Sequence, residues 1–426
     1  MFKILTPQIK DNTVTFTYET HGLRFLETHV FPFSLEFSRS TYALAIGVAI
    51  SYYKLYLDED IYIDWDISIQ EKAFWQWIYN KGFSELIYDN KIPFDKRRPV
   101  TITCSSVSLK MTLENIPNYS DTAVLGIGGG KDSTLAKVLL DEAKVKSIGY
   151  STEIKPSKII ERNALSLQIP LLSVERIIDP QLKTNISNTY NGHIPISLIY
   201  ALTGVVIAEH EKIKYVVVAN EASTEEENII WDGINVNHQW SKTFEFEKQF
   251  YKHVITSINA NIHYFSILRS LSSVKIMELF VTKCRAQFES FSSCNNNFKI
   301  NKVNTGDWCG ICPKCLGTYI LMKAFLDEDD LKVIFKKNYL DDTANTTLFH
   351  SLLGLSEVKV FDCVATKDET CFCISKIIDK SKDALIVNLS DGERAFIKER
   401  ANFGDTYILE KHEHNIPENI WKNIKI

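Results

Sequence analysis

The sequence predicts an α/β protein: a parallel sheet with helices on both faces, plus a β-rich N-terminal domain and a small C-terminal appendage. Three observations carry this reading. Between residues 119 and 340 short apolar strands alternate with amphipathic helices, the pattern of parallel sheets covered by crossover helices. A glycine-rich turn joins the first of those strands to the first helix. The chain has 426 residues, 45% hydrophobic and 24% charged, the balance of an ordinary globular protein with room for two or three domains.

Residues 1–118 form the N-terminal region. Thr13–Tyr18 alternates apolar and polar residues as a half-buried strand does, and Leu23–Val30 is a second strand. Phe74–Ile87 has helical spacing, and Pro99–Leu113 reads as a strand pair. In the central region, 119–340, the order is strand Thr122–Ile127, glycine loop, helix Ser133–Glu142, strand Lys146–Tyr150, helix Ser157–Leu167, strand Leu171–Val174, helix Ser197–Glu211 and strand Tyr215–Val218. After residue 341 the periodicity weakens. There Ala384–Leu389 and Arg394–Lys398 read as a hairpin about Asp391-Gly392, since Asp-Gly is a favoured two-residue turn.

The formal net charge is −5 and the pI about 6.1. Neither half is strongly basic, which argues against a nucleic-acid partner and leaves room for a local anion site. The start of the chain is polar within ten residues and lacks a signal-peptide core. The most apolar run, Ile196–Ala208, is stopped by Glu209 and His210, short of the roughly 18 residues a membrane span needs. The expectation is a cytoplasmic protein without a membrane partner. The nine cysteines, an odd number, fit a reducing compartment, where clustered cysteines bind metal more often than they pair.

The glycine loop spans Gly126–Ser133, GIGGGKDS. Glycines let the backbone turn tightly and approach a ligand. The N–H groups of Gly129–Asp132, at the start of a helix, would form an anion cradle. Ser133 can donate its hydroxyl to a phosphate and Lys131 adds positive charge. The spacing is not that of a Walker loop. Nor is it the dinucleotide fingerprint, which would need glycine at position 131. A strand-to-helix turn that binds nothing is the plainer alternative.

A polar run, Ala219–Glu225, follows the strand Tyr215–Val218, at the strand end where open α/β sheets bind ligands. Asn220 joins the candidate nucleotide contacts, Glu221 and Asp132 are candidates for holding magnesium or for positioning, and Glu225–Glu227 reads as a solvated acidic face. In Asn235–Lys242, NVNHQWSK, His238 and Lys242 are candidate acid–base or phosphate-contacting groups. Cys294, Cys309, Cys312 and Cys315 offer four thiolates that can close a tetrahedral shell. Such a shell is structural rather than catalytic, because no position stays open for water. Zinc is the expected ion; an iron–sulfur cluster or free buried thiols are the other readings. Cys104, Cys284, Cys363, Cys371 and Cys373 are scattered.

Gly129-Gly130-Lys131-Asp132-Ser133 resembles the SGGxDS loop of the PP-loop ATP pyrophosphatases, with Gly128 where the first serine usually stands. Two families of that superfamily pair such a loop with late cysteines: 7-cyano-7-deazaguanine synthase, and the ATP-dependent UDP-N-acetyl-α-D-muramoyl-L-alanyl-L-glutamate epimerase. The chain is more similar to the second, over most of residues 1–330. The likeness rests on Ile50–Lys54 (ISYYK), Gly82–Asn90 (GFSELIYDN), Gly128–Ser133, Tyr190–Pro195 (YNGHIP), Asn220-Glu221, Asn235–Lys242, Ser293–Asn295 and Trp308–Cys315 (WCGICPKC). No matching segment follows residue 340.

The resemblance implies the adenine nucleotide α-hydrolase-like fold, ATP with Mg²⁺ held at Gly128–Ser133, and a soluble UDP-sugar-dipeptide as substrate. It implies that ATP adenylates the α-carboxylate of the terminal glutamate and releases pyrophosphate. The acyl-adenylate acidifies the neighbouring Cα–H, a base removes that proton, and return from the other face gives D-glutamate. His238, His193 and Lys242 are the candidates for that base, and residues 1–118 for a clamp on the UDP-sugar. The competing readings are another carboxylate-activating enzyme of the deazaguanine type, in nucleobase modification or defence, and a nucleotide-binding module without catalysis.

Overall fold

The computed structural model describes residues 1–93, 97–108, 119–298, 306–356, 360–402 and 413–426. Its strands are β1 (Phe2–Lys10), β2 (Thr13–Thr20), β3 (Leu23–Val30), β4 (Asp60–Ile63), β5 (Ile67–Ser68), β6 (Thr101–Cys104), β7 (Val107–Ser108), β8 (Ser120–Gly126), β9 (Ser147–Glu153), β10 (Leu171–Ile177), β11 (Ile213–Val218), β12 (Ile229–Trp231), β13 (Ile234–Val236) and β14 (His263–Ser266). Ten of them form one sheet in the order β14-β11-β8-β9-β10-β3-β2-β1-β4-β6.

The five strands β14 to β10 are mutually parallel. The N-terminal meander β1–β2–β3 is antiparallel and docks on β10, with Glu175 opposite Val30. β4 and β6 then run parallel to β1. The β-rich N-terminal region thus extends the central sheet rather than forming a sheet of its own. A buried ion pair closes the seam: Arg176 Nε donates to Glu27 Oε1 at 2.6 Å, and Arg176 Nη2 donates to Ser51 Oγ at 2.7 Å. Burial alone would raise the Glu27 carboxyl, but Arg176 and His29 outweigh it and hold it at about 2.

Alternation along the central strands builds a core on each face. Ala123, Leu125, Tyr215 and Val217 face one way, toward helices Lys131–Glu142, Ser273–Lys283 and Pro313–Lys323. Val124 and Val216 face the other, toward helices Arg39–Val48 and Ser197–His210. The latter helix is buried nearly all round, as its apolar sequence foretold. Gly204 lets it approach the sheet: a Cβ there would meet Tyr150 Oη at 2.7 Å and Val216 Cγ1 at 2.9 Å. Helices on both faces of a largely parallel sheet match the expected class, and no described helix is long and apolar enough to cross a membrane.

Most elements fall within a few residues of their expected limits, and differences gather at the ends. Phe74–Ile87 divides into helices Ile69–Lys81 and Ser84–Asp89. Of Pro99–Leu113, Thr101–Cys104 and Val107–Ser108 are strands, and 109–113 lie outside the described residues. The hairpin expected about Asp391-Gly392 is overturned: Ala384–Val387 and Asp391–Ala401 are helices. Ser390 and Glu393 form a capping box that starts a helix where the Asp-Gly pair suggested a turn. Arg394 also donates to the carbonyls of Ile378, Leu389 and Ile386, satisfying groups a strand would have paired. Leu352, Cys371, Ile386, Ile397 and Ile420 from this C-terminal part join the same core as the central helices.

Candidate functional site

β8 is the hinge of the topology. From it the chain steps through β9 to β10 on one side and later through β11 to β14 on the other. The carboxyl ends of β8 and β11 therefore open a crevice where the order reverses, the usual ligand position in such sheets. The glycine loop leaves β8 into this crevice. Gly129 adopts φ +74°, and a Cβ there would come within 3.2 Å of the Ile159 backbone, so glycine is required. Its carbonyl accepts from Ser292 N at 2.9 Å, which ties the loop to the segment before Cys294. Gly130 is the N-cap of the helix Lys131–Glu142. At Gly128 the space is open and nothing lies within 4 Å of an added Cβ.

A cavity open to solvent lies beside the loop, with Lys131, Asp132, Asn220, Glu221, Gln239, Lys242, Ser293, Lys314 and Cys363 among its walls. Lys131 Nζ pairs with Asp132 and lies 3.6 Å from Glu221 Oε2. Burial works against its charge, but Asp132 and Glu221 overcome this and raise the ammonium above its ordinary value. Glu221 also accepts from Ser223 Oγ at 2.6 Å and Ser273 Oγ at 2.8 Å. Burial would raise its carboxyl, yet Lys131 and these hydroxyls bring it down. Glu221 Oε1 is thus engaged by two hydroxyls while its buried Oε2 makes no hydrogen bond, and Asp132, paired with Lys131, is more than a third exposed toward the cavity, within reach of a hydrated cation. Ser133 is buried; its hydroxyl donates back to the Gly130 carbonyl at 3.3 Å.

Asn235–Lys242 is held from both ends. Asn237 Nδ2 donates to Thr224 O at 3.0 Å, and Asn228 Oδ1 accepts from His238 N at 2.8 Å. Trp240 packs on Trp77 with ring centroids 4.9 Å apart. Arg269, 1% exposed, anchors both walls from beneath: it donates to Glu221 O at 2.9 Å, to Lys242 O, and through Nε to Glu247 Oε2 at 2.9 Å. Of the run expected to be solvated, Glu225 and Glu227 are exposed, while Glu226 is half-buried.

His193 and His238 meet around Glu85, with ring centroids 4.2 Å apart. His238 Nδ1 is 2.7 Å from Glu85 Oε2, and His193 Nδ1 is 3.9 Å from the same oxygen. Burial opposes protonation of both, but only His238 is compensated. Cys363 and Glu85 raise it to about 9, while His193, beside the charges of His238 and Lys242, falls to about 3. Neighbouring hydrogen bonds tie the surrounding segments together: Lys54 Nζ donates to Asn191 Oδ1 at 2.9 Å and Asn90 Nδ2 to Asn191 O at 3.0 Å. Segments scattered over nearly 200 residues of sequence (ISYYK, GFSELIYDN, YNGHIP and NVNHQWSK) therefore converge on one place.

The four cysteines also converge, all four Sγ atoms lying within 4.8 Å of one another. Cys309 Sγ and Cys315 Sγ are 3.7 Å apart, close to the roughly 3.8 Å edge of a tetrahedron with 2.3 Å zinc–sulfur bonds. Cys312 starts the helix Pro313–Lys323, and Cys315 lies in its first turn.

Residues 1–267 match a model of the MurL N-terminal domain and residues 290–402 a model of the MurL C-terminal domain. The chain belongs to the MurL family. Among curated MurL-family relatives, the UDP-N-acetyl-alpha-D-muramoyl-L-alanyl-L-glutamate epimerase of Xanthomonas oryzae pv. oryzae is 28% identical, over 90% of this chain and 84% of the relative. The proteins of the same name from Micromonospora sp. and Salinispora tropica are 30% and 29% identical, over 81% of this chain and 76% and 75% of theirs. The family resemblance read from the motifs is borne out. The match runs on to residue 402, however, past residue 340 where the sequence reading had ended it.

Four site residues escaped sequence reasoning, Lys314 inside the WCGICPKC motif among them. Glu85 lay inside a quoted motif, but nothing in GFSELIYDN marks it as the partner of two histidines. Arg269 follows β14 with no motif around it. Cys363 stands 121 residues from the lysine it touches.

Proposed function

We propose that this chain is an ATP-dependent epimerase that converts the terminal L-glutamate of UDP-MurNAc-L-Ala-L-Glu to D-glutamate, releasing AMP and pyrophosphate, for peptidoglycan precursor synthesis. One observation carries the reading beyond family membership. The glycine loop at the topological switch opens on a cavity whose walls bring together Lys131, Lys242 and Lys314 with the exposed carboxylate of Asp132. Three ammonium groups and a helix N-terminus suit a polyphosphate, and Asp132 suits its magnesium.

In this account Gly128–Ser133 grip the outer phosphates of ATP, with Asn220 and Glu221 positioning the nucleotide beside them. The substrate α-carboxylate attacks the α-phosphorus, and pyrophosphate departs toward Lys131. Adenylation removes the carboxylate charge, so loss of the Cα proton no longer builds a dianion. That proton is exchanged in the part of the cavity nearest Lys242 and His238. Hydrolysis of the mixed anhydride then releases AMP and the epimerised product. Residues 1–118 supply the segments flanking His193 and Glu85, a fitting place to clamp the UDP-sugar. Zinc on Cys294, Cys309, Cys312 and Cys315 would be structural and would fix the segment that Ser292 ties to Gly129.

The test is to incubate the protein with UDP-MurNAc-L-Ala-L-Glu with and without ATP, hydrolyse the product and resolve its glutamate by chiral chromatography. D-Glutamate should form only with ATP and magnesium. Formation of none, or formation independent of ATP, would reject the proposal.

A further inference from the structure

Cys363 joins the two halves of the site. It is in the wall of the cavity that holds Lys131 and Asp132. It also groups with His238 and Asp362, their ligating atoms all within 4.8 Å of one another. Lys242 Nζ donates to its Sγ at 3.1 Å. The backbone around it is fixed rather than loose. Asp362 Oδ1 accepts from Cys363 N at 2.8 Å, Val364 N donates to Asp362 O at 3.1 Å, and Asn228 Nδ2 donates to Val360 O at 2.8 Å. Asn295 Nδ2 donates to Asp362 Oδ2, so the neighbour of Cys294 also steadies this turn.

We propose that Cys363 is the catalytic base that takes the Cα proton from the terminal glutamate of the substrate. This inference rests on the epimerisation proposed above. The Cα–H bond breaks, an S–H bond forms, and the electron pair passes into the enolate of the activated carboxyl group. A proton from an acid in exchange with solvent then adds to the opposite face, and the enolate collapses back to the acyl group. The thiol returns its proton to solvent, so atoms and charge balance over the cycle.

The surroundings of the competing groups favour the thiol. Lys242 is surrounded by Cys363, Asp132 and Glu221, which overcome its burial and keep it an ammonium. His238, held at about 9, is an imidazolium at neutral pH. His193 is neutral, but at about 3 it is a feeble base, and it is not among the walls of the cavity. Burial would raise the Cys363 thiol, yet Lys242, Lys314 and His238 together hold it at about 6, so the thiolate is present at neutral pH. At Cys284 and Cys371 burial outweighs the one nearby cation, Lys283 or Arg400, and the thiols are pushed up to about 12. A thiolate is also a good carbon base, being weakly hydrated and polarisable.

The experiment uses C363S and C363A, with folding checked by circular dichroism and thermal midpoint; serine keeps the shape of the side chain. Three quantities are read with UDP-MurNAc-L-Ala-L-Glu and ATP: pyrophosphate release, deuterium uptake at Cα in D₂O, and D-glutamate formed. General-base removal is expected to lower deuterium uptake and epimerisation at least 10²-fold, while pyrophosphate release in the folded variants falls less than about tenfold. Deuterium uptake near the wild-type rate, or loss of pyrophosphate release in parallel with uptake, would overturn the assignment. A wild-type protein that releases no pyrophosphate would instead reject the proposed function itself.

Discussion

Replacing Arg269 by methionine should destabilise the protein more than any other single change beneath the site. The guanidinium is 1% exposed and Glu247, its partner, is fully buried. Met keeps much of the aliphatic stem but leaves Glu247 Oε2 without its donor and takes one donor each from Glu221 O and Lys242 O, which keep Thr224 Oγ1 nearby. Breaking a buried ion pair by removing one partner costs about 3–5 kcal/mol. An orphaned buried acceptor costs about 1–3 kcal/mol, and these contributions overlap rather than add. A loss of about 4 kcal/mol is a large share of the roughly 5–15 kcal/mol that holds a domain folded. Glu247 can relieve part of it by taking up a proton. Burial already raises its carboxyl against the pull of Arg269, and without Arg269 it rises further. A carboxyl whose folded value lies above its unfolded value loses stability as pH rises, so the deficit of R269M should be larger at pH 8 than at pH 5. Adding Glu247→Gln should return part of the loss. Urea unfolding of wild type, R269M and R269M/E247Q at both pH values measures all of this. A deficit for R269M under about 1 kcal/mol, or no recovery in the double variant, would refute the argument.

Other outcomes follow from the same geometry. Gly129→Ala forces a side chain into a left-handed backbone against Ile159; it should cost about 1–2 kcal/mol and abolish ATP-dependent turnover. Gly128→Ser, where the added Cβ meets open space, should fold and turn over near wild type; kinetics and thermal midpoints of the pair check both. His253 is buried against Phe74 with neither ring nitrogen hydrogen-bonded, and burial lowers it to about 3. Its unfolded form binds a proton below about 6.5 and its folded form does not, so stability should fall as pH drops from 6.5 toward 3. His253→Phe should flatten that slope in acid titrations followed by circular dichroism. Removing metal with a strong chelator, or Cys315→Ser, should lower the thermal midpoint and cut ATP-dependent activity, with zinc released in proportion to protein; a preparation that holds no zinc and is unmoved by chelator would sink the structural-zinc assignment.

Much of this architecture was legible because each physical signal was local. Thr122–Ile127, the glycine loop and the helix after it are a strand, a turn and a helix in one short stretch ending at Glu142. Periodicity and φ requirements show there without tertiary context. The four cysteines declared themselves by spacing. What stayed hidden depends on distant residues. The pairing of β10 with β3 is fixed by a register that no short window carries, and so the N-terminal strands read as a region apart rather than as part of one ten-stranded sheet. Asp391-Gly392 misled because the same residues suit a turn or the first turn of a helix, and the capping box at Ser390 and Glu393 decided between them. Within the site, His238 and Lys242 were singled out by their side-chain chemistry and His193 by the motif resemblance. Glu85 and Cys363 were not, because a carboxylate and a thiol acquire meaning here only from the cations that folding sets beside them.

The most direct measurement is phosphorus NMR of the nucleotide pool during turnover of UDP-MurNAc-L-Ala-L-Glu, with chiral analysis of the glutamate in the same tube. AMP and pyrophosphate should appear together, one of each for every D-glutamate formed. ADP with inorganic phosphate, or D-glutamate accumulating while ATP is untouched, would contradict it.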